Sequence, residues 1–306
     1  MPSVAILLCT FNGTRFLAAQ LASYTHQSFK DWRLFASDDG STDDTLTILS
    51  RYRDGSGPAQ VAIREGPRQG FVRNFLALAC DRAITGDYYA YSDQDDIWEP
   101  DKLSRAIAWL ETCPPERPAL YCGRTGLVDE DGRACGLSPL FQRKPSFRNA
   151  LVQSIAGGNT MVFNDAARQL LLAGGGMVQV PLHDWWTYLV TTAAGGEVRY
   201  DPTPSIRYRI HPRNLIGANE GWRERARRLR LMAHGRFETW TNLHIAALEP
   251  LRPRMTAENR AVFDLFRGAR RRGVLARAAG FRKTGVYRQT GFGNLGLILA
   301  ILAGKI

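Results

Sequence analysis

The stretch "SVAILLCTFNG", Ser3–Gly13, decides how the chain is read. Six apolar residues in a row, Val4–Cys9, end abruptly in Thr-Phe-Asn-Gly. A run this short, closed by turn residues, predicts a strand buried on both faces, the kind found in parallel sheets. The pattern recurs along the first 123 residues. Residues 14–27 carry apolar side chains at helical spacing, and "DWRLFAS" (31–37) predicts a second strand. "TDDTLTILSRY" (42–52) opens with Thr and two acids, a helix-start pattern. Residues 59–65 predict a third strand, 70–85 a helix, and 87–92 a fourth strand. "PDKLSRAIAWLETC" (100–113) places Pro in the first turn of another helix, and 118–123 predict a fifth strand. Strand and helix alternate over short links, so the fold class is α/β: a doubly wound, mostly parallel, Rossmann-like sheet over residues 1–122. Residues 123–218 are rich in Gly and Pro and predict irregular structure. From about Gly221 the pattern turns helical and basic, and it ends in the apolar "GFGNLGLILAILAGKI" (291–306).

The 306 residues are 44% hydrophobic and 23% charged, ordinary for a soluble globular protein. The net charge of +11 is uneven: residues 1–221 sum to −2 and residues 222–306 to +13. An anionic partner is therefore expected for the last quarter of the chain. The five cysteines are scattered, with no CxxC pair or Cys/His cluster. Neither a disulfide framework nor a zinc site is expected, and a reducing cytoplasm is the natural setting. The apolar run at the N-terminus is too short for a signal peptide and lacks a preceding basic residue.

Ligands of such sheets bind where the strands end at their C-terminal side. Three polar clusters fall there: "CTFNG" (9–13), "SDDGSTD" (37–43) and "SDQDDIW" (92–98). Two are acidic. An acidic crevice can hold a hard divalent cation, or accept hydrogen bonds from a sugar, ribose or base. Asp93 and Asp95 are two apart, so in an extended segment they point the same way. That suits a cation shared with substrate phosphates. The bland alternative is a solvated loop whose acids cap the next helix; Asp96 fits that role, or a supporting one, as well as a ligand role.

Taken together, "ILLCTFNGTRFLAAQLASYTHQSFKDWRLFASDDGSTDDT", "RQGFVRNF", "SDQDDIWEPDKL", "GGNTMVFN", "LHDWWTYL" and "YRIHPRNLIGAN" resemble the family-2 glycosyltransferases of A-type fold, in their bacterial rhamnosyltransferase-like branch. The pieces occur in the family's order over about residues 2–219. The resemblance implies a catalytic domain over 1–219, with a nucleotide-binding half (1–122) and an acceptor half (123–219), and then a basic helical region (220–306). It implies that Phe11 and Asn12 line a base pocket with Thr10 nearby, that Asp39 accepts from a pyrimidine N3–H beside Asp38, and that Arg73 approaches the nucleotide or its phosphates. Asp95 would be the main ligand of Mn²⁺ or Mg²⁺, Asp93 would meet the ribose or the metal, and His211 would complete the metal or phosphate shell. Asp184 matches the catalytic base of an inverting transfer, flanked by His183, Trp185 and Trp186 at the edge of an aromatic acceptor pocket. "GGNT" (157–160) would be a close backbone approach to the acceptor. The donor implied is a dTDP- or UDP-sugar carrying rhamnose or a hexose, and the acceptor a glycan or lipid-linked hydroxyl.

The apolar end, Gly291 to Ala303, would be a helix about 20 Å long, short of the roughly 30 Å hydrocarbon core. Beside so many arginines it predicts an interfacial element on an anionic cytoplasmic leaflet, or a helix docked on the domain. No nucleic-acid-binding motif is present, so nucleic acid is not expected as a partner. Two other functions remain open. A nucleotidyltransferase making nucleotide sugars would carry a Gly-rich, Arg/Lys-containing loop after strand one, which "CTFNGTRF" lacks. A sugar- or lipid-binding module without catalysis would not need Asp39, Asp95 and Asp184 together.

Overall fold

A computed structural model describes residues 2–57, 60–211 and 236–306. The first half alternates as the sequence predicts: β1 Val4–Thr10, α1 Leu17–Thr25, β2 Trp32–Asp38, α2 Thr45–Ser56, β3 Val61–Glu65, α3 Phe71–Ala79, β4 Tyr88–Ser92, a short β5 Ile97–Trp98, α4 Lys102–Leu110 and β6 Ala119–Gly123. The helices are shorter than their apolar patterns. Pro100 stands outside α4, whose first residue is Lys102, and Asp44 rather than Thr42 precedes α2.

Residues 123–211 are far more regular than expected. They form β7 Gly126–Val128, β8 Ala134–Leu137, α5 Phe147–Ala150, β9 Val162–Asn164, α6 Asp165–Gly174, α7 His183–Ala193, β10 Glu197–Asp201 and β11 Ile206–Arg209. Strands of three to five residues leave no apolar run to read, which is why the sequence pattern missed them. Among the described residues the main sheet has seven strands in the order β10-β6-β9-β4-β1-β2-β3. β4, β1, β2 and β3 are mutually parallel, and β10 is parallel to β6. β9 runs antiparallel between β4 and β6. A second sheet, β5-β11-β7-β8, meets the segment that follows β4 through Arg209 at the end of β11.

β1 shows why its apolar run is continuous. Val4, Ile6 and Leu8 face a core made with α1 and α4, while Ala5, Leu7 and Cys9 face the core under α3, α6 and α7. The second core also takes Phe237, Leu248, Phe263, Phe266, Phe281, Leu297 and Ile301. These belong to the C-terminal helices α8 Arg236–Leu248, α9 Ala257–Arg270, α10 Val274–Thr284 and α11 Gly291–Ala303. The described C-terminal helices therefore share the main core instead of building a separate one. The basic segment 212–235, where that region was expected to begin, lies outside the described residues. Among the described residues no helix is long and apolar enough to cross a membrane, and all five cysteines are free.

Asn164 ties the inserted strand to its surroundings. Its Oδ1 accepts from Ala167 N at 3.0 Å, capping α6, and from Ala119 N at 2.9 Å, while its Nδ2 donates to Arg117 O at 2.7 Å. Asn164→Ala should lower stability by about 2–4 kcal/mol, the sum of a lost cap and a buried N–H left unpaired. Urea unfolding of wild type and variant measures it; a loss under about 0.5 kcal/mol would mean that water replaces the side chain.

Candidate active site

The register of the parallel strands assembles the site. Thr10 pairs with Asp38 across β1 and β2, and Leu8 pairs with Ser92 across β1 and β4. All three polar clusters thus leave the sheet at one edge. Asp38 is saturated there: its Oδ2 accepts from Thr10 Oγ1 (2.8 Å) and Ser41 Oγ (2.5 Å), and its Oδ1 from Gly40 N and Ser41 N. Asp39 holds the neighbouring loop, accepting from Arg68 N at 2.6 Å and Gly70 N at 2.7 Å. Asn12 adopts a left-handed backbone, φ 49°. Its N donates to Ser41 Oγ and its Oδ1 accepts from Thr42 N, which locks the first two clusters together. Gln94 clamps Phe11 at both backbone atoms, accepting from its N at 2.9 Å and donating to its O at 3.0 Å. The Phe11 ring is left 55% exposed over the crevice. Arg73 donates to the carbonyls of Gly176 and Val178 and so fixes the loop before α7.

The third cluster holds three carboxylates in four residues, each in its own surroundings. Asp95 Oδ2 lies 2.9 Å from His211 Nε2, whose ring packs on Phe16. Asp96 is buried. It accepts from Asn159 Nδ2 at 2.6 Å and from Arg209 N at 3.3 Å, and burial together with Asp95 and Asp93 pushes its carboxyl well above the usual range. Asp93 is pushed up to about 8, by burial first, then by Asp95 and Asp184. Beneath them lies Lys102, fully buried. Its Nζ donates to Asn159 O at 2.9 Å and sits 4.4 Å from the centre of the Trp98 ring. Burial pulls this ammonium down to about 7, against the opposing pull of Asp96 and Asp93.

Asp184 stands in the first turn of α7, where the helix dipole favours a carboxylate. It accepts from Gly158 N at 3.1 Å and from Trp185 N at 2.5 Å, and burial pushes it up to about 6. The aromatic acceptor pocket expected around it is not formed by its flanking residues. All of α7 is buried, so Trp185 and Trp186 are core residues: Trp185 donates to Ala150 O and packs on Trp240 and His244, and Trp186 is fully enclosed. His183 stacks on Phe75 at 4.0 Å and meets the edge of Tyr91, and burial keeps it neutral by pulling it down to about 3. The close approach at "GGNT" is to the protein itself, since a Cβ on Gly158 would lie 2.5 Å from His183 Nε2.

The donor set fits a hard cation in one manner only. Asp95 and His211 meet, and Asp93 is near, yet among the described residues no three Asp, Glu, His or Cys side chains converge to hold a metal by themselves. A cation here needs oxygens from a ligand, as Mg²⁺ and Mn²⁺ bound with phosphates do.

Sequence reasoning missed three residues. Lys102 looks like an ordinary helix start, and Asn159 is marked only as part of the "GGNT" turn, with nothing to show its side chain on Asp96. Gln94 lies in the "SDQDDIW" cluster, but nothing in the sequence shows that its side chain reaches back to the Phe11 backbone.

Comparison with known proteins gives the family. The model of Glycosyl transferase family 2 matches residues 5–171, more than half of the chain. This chain belongs to the family 2 glycosyltransferases. The glycosyltransferase is 29% identical over 237 residues to the dTDP-rhamnosyl transferase RfbG of Shigella flexneri, covering 74% of this chain and 78% of that one. It is 34% identical over 113 residues to the putative glycosyltransferase EpsE of Bacillus subtilis, covering 36% of this chain and 39% of that one. Its fold is similar to that of S. aureus TarS 1–349 in complex with UDP, at 13% identity and TM-score 0.52, covering 92% and 90% of the two chains. A mannosyltransferase of Pyrobaculum calidifontis, solved with GDP-Man and Mn²⁺, matches at 18% identity and TM-score 0.50, covering 99% and 86%. The family-2 glycosyltransferase with A-type fold, in the rhamnosyltransferase-like branch, is the assignment these findings support.

Gly158→Ala should force His183 off Phe75 and cost about 1–3 kcal/mol, the usual scale of overpacking. Chemical denaturation measures it, and wild-type stability would show that the 157–160 turn can move freely.

Proposed function

We propose that this glycosyltransferase transfers rhamnose or a hexose from a dTDP- or UDP-linked donor to a hydroxyl of a glycan or lipid-linked acceptor, with inversion, in bacterial cell-surface polysaccharide synthesis. The observation that carries the reading is Asp184, a buried carboxylate raised to about 6 whose charge also helps to raise Asp93 in the acid cluster. The likeness to a dTDP-rhamnosyl transferase supports the donor class.

Each residue then has work to do. Phe11 and Asn12, with Thr10 nearby, border the base, and Asp38 braces their loop. Asp39 has each oxygen occupied once by the 68–70 loop; each keeps a second lone pair, so one can still accept from a pyrimidine N3–H. Asp95 and His211, with Asp93 beside them, would hold Mn²⁺ or Mg²⁺. When bound, that cation offsets the negative charge growing on the leaving diphosphate. Arg73 reaches the donor phosphates only if its loop contacts are exchanged for them. Asp184 accepts the proton of the acceptor hydroxyl as its oxygen bonds to C1 of the sugar, and the nucleotide diphosphate leaves on the opposite face. The enzyme works in the cytoplasm, at the inner face of the cell membrane, where a lipid-linked acceptor is presented.

A base acts in its ionised form. The Asp184 carboxyl is half ionised at about 6, so kcat should fall as the pH drops through that value. Asp184→Asn should lower kcat by about 10² or more and remove this limb, while donor affinity stays as in wild type. The checks are a pH–rate profile and calorimetry with the donor. A limb unchanged in the variant, or an equal loss of donor binding, would take Asp184 out of the base role.

A further inference from the structure

The terminal helix has two apolar sides. α11 buries Gly296, Leu297, Ala300 and Ile301 against the fold. Phe292, Leu295, Ile298, Leu299 and Leu302 remain 43–62% exposed. Four of them, at i, i+3, i+7 and i+10 from Phe292, make one stripe along the helix. α10 packs on α11 and adds Val274 and Leu275, the latter 87% exposed. The whole stretch 265–306 holds nine Lys or Arg and no acid. Arg271, Arg272, Arg282, Lys283 and Lys305 are exposed among them.

We propose that this face lies flat on an anionic lipid bilayer, with the α11 stripe and Leu275 at the headgroup boundary and the surrounding cations on acidic headgroups. Charge chooses the occupant. A second copy of the chain would bring one cationic rim against another, which opposes self-association. A nucleic acid would satisfy the cations and leave the stripe in water. A bilayer surface satisfies both. A thirteen-residue helix spans about 20 Å, so it lies in the plane and does not cross.

The surface is bonded to the segment that leads to Asp184. Asn149 Nδ2 donates to Tyr287 O (2.9 Å), Arg288 Nη1 to Val152 O (3.1 Å) and Gln289 N to Gln153 Oε1 (2.8 Å). Four residues past Gln153 begins the 157–160 turn whose Gly158 N carries Asp184. A lipid-borne acceptor would thus arrive on the side of the base; this last point rests on the proposed acceptor, while the attachment itself does not.

The test is co-sedimentation of the full chain with vesicles of phosphatidylglycerol and phosphatidylcholine, against vesicles of phosphatidylcholine alone. Leu295→Asp/Leu299→Asp changes only exposed positions, and thermal unfolding checks that it folds. Wild type should bind the acidic vesicles, release in high salt, and bind neutral ones poorly. The double variant should partition roughly tenfold less or weaker still, with nucleotide binding by calorimetry unchanged. Equal sedimentation of variant and wild type, equal binding to neutral vesicles, or no binding by wild type would each overturn the proposal. So would a wild-type dimer that the variant dissociates while vesicles bind neither. Nucleotide binding is read separately, so failure of the surface leaves the transferase reading standing, and the reverse.

Discussion

The structure depends on how it tolerates Asp93, Asp95 and Asp96 at the mouth of β4. Two carboxylates about 5 Å apart near a protein surface repel by roughly 3 kcal/mol, and here three stand within four residues. The fold answers with fixed partners. His211 meets Asp95, Asn159 and the Arg209 backbone hold Asp96, and the Lys102 ammonium lies buried below. These partners come from α4, the 158–160 turn and the end of β11, so three distant parts of the chain meet around one acid cluster. Asp93 is pushed up by burial first and then by Asp95 and Asp184, with Lys102 pulling the other way.

The two sides of the crevice are built differently. On the donor side, loops grip one another through side chain-to-backbone bonds: Asp38, Asp39, Asn12 and Gln94 each fix main-chain atoms of another loop or of their own. These bonds tie the loops into one floor, over which the Phe11 ring stays exposed. On the acceptor side, Asp184 is placed by a helix that is buried on every face, behind which α8 and the other C-terminal helices pack. Asn159 joins the sides. Its side chain holds Asp96, its carbonyl holds Lys102, and its neighbour Gly158 holds Asp184.

Much of this was legible in the sequence, for physical reasons. A sheet buried on both faces needs continuous apolar strands, so β1, β2, β4 and β6 announce themselves, and parallel register puts "CTFNG", "SDDGSTD" and "SDQDDIW" at one edge. Asp95 and His211, expected in one shell, do meet. The antiparallel β9 and the second sheet were illegible, because three-residue strands carry no periodicity. Trp185 and Trp186 are core residues where pocket walls were expected; a motif shows that aromatics flank Asp184, and only packing shows that they point into the core. Lys102 was hidden because a lysine at a helix start is ordinarily solvated, and nothing local reveals that Trp98 and the 158–160 turn enclose it. The apolar tail proved to be docked and exposed at once, which composition alone could not divide into two faces.

If a cation arriving with a nucleotide diphosphate completes the acid cluster, nucleotide affinity must depend on metal through Asp95. Calorimetry of dTDP and UDP binding, with Mn²⁺ and with chelator, in wild type and Asp95→Asn, measures that dependence. At least one nucleotide should bind wild type tightly with Mn²⁺ and much more weakly with chelator, and Asp95→Asn should show little metal dependence. Equal affinity with and without metal in wild type, or full metal dependence in Asp95→Asn, would contradict a cation site at this cluster.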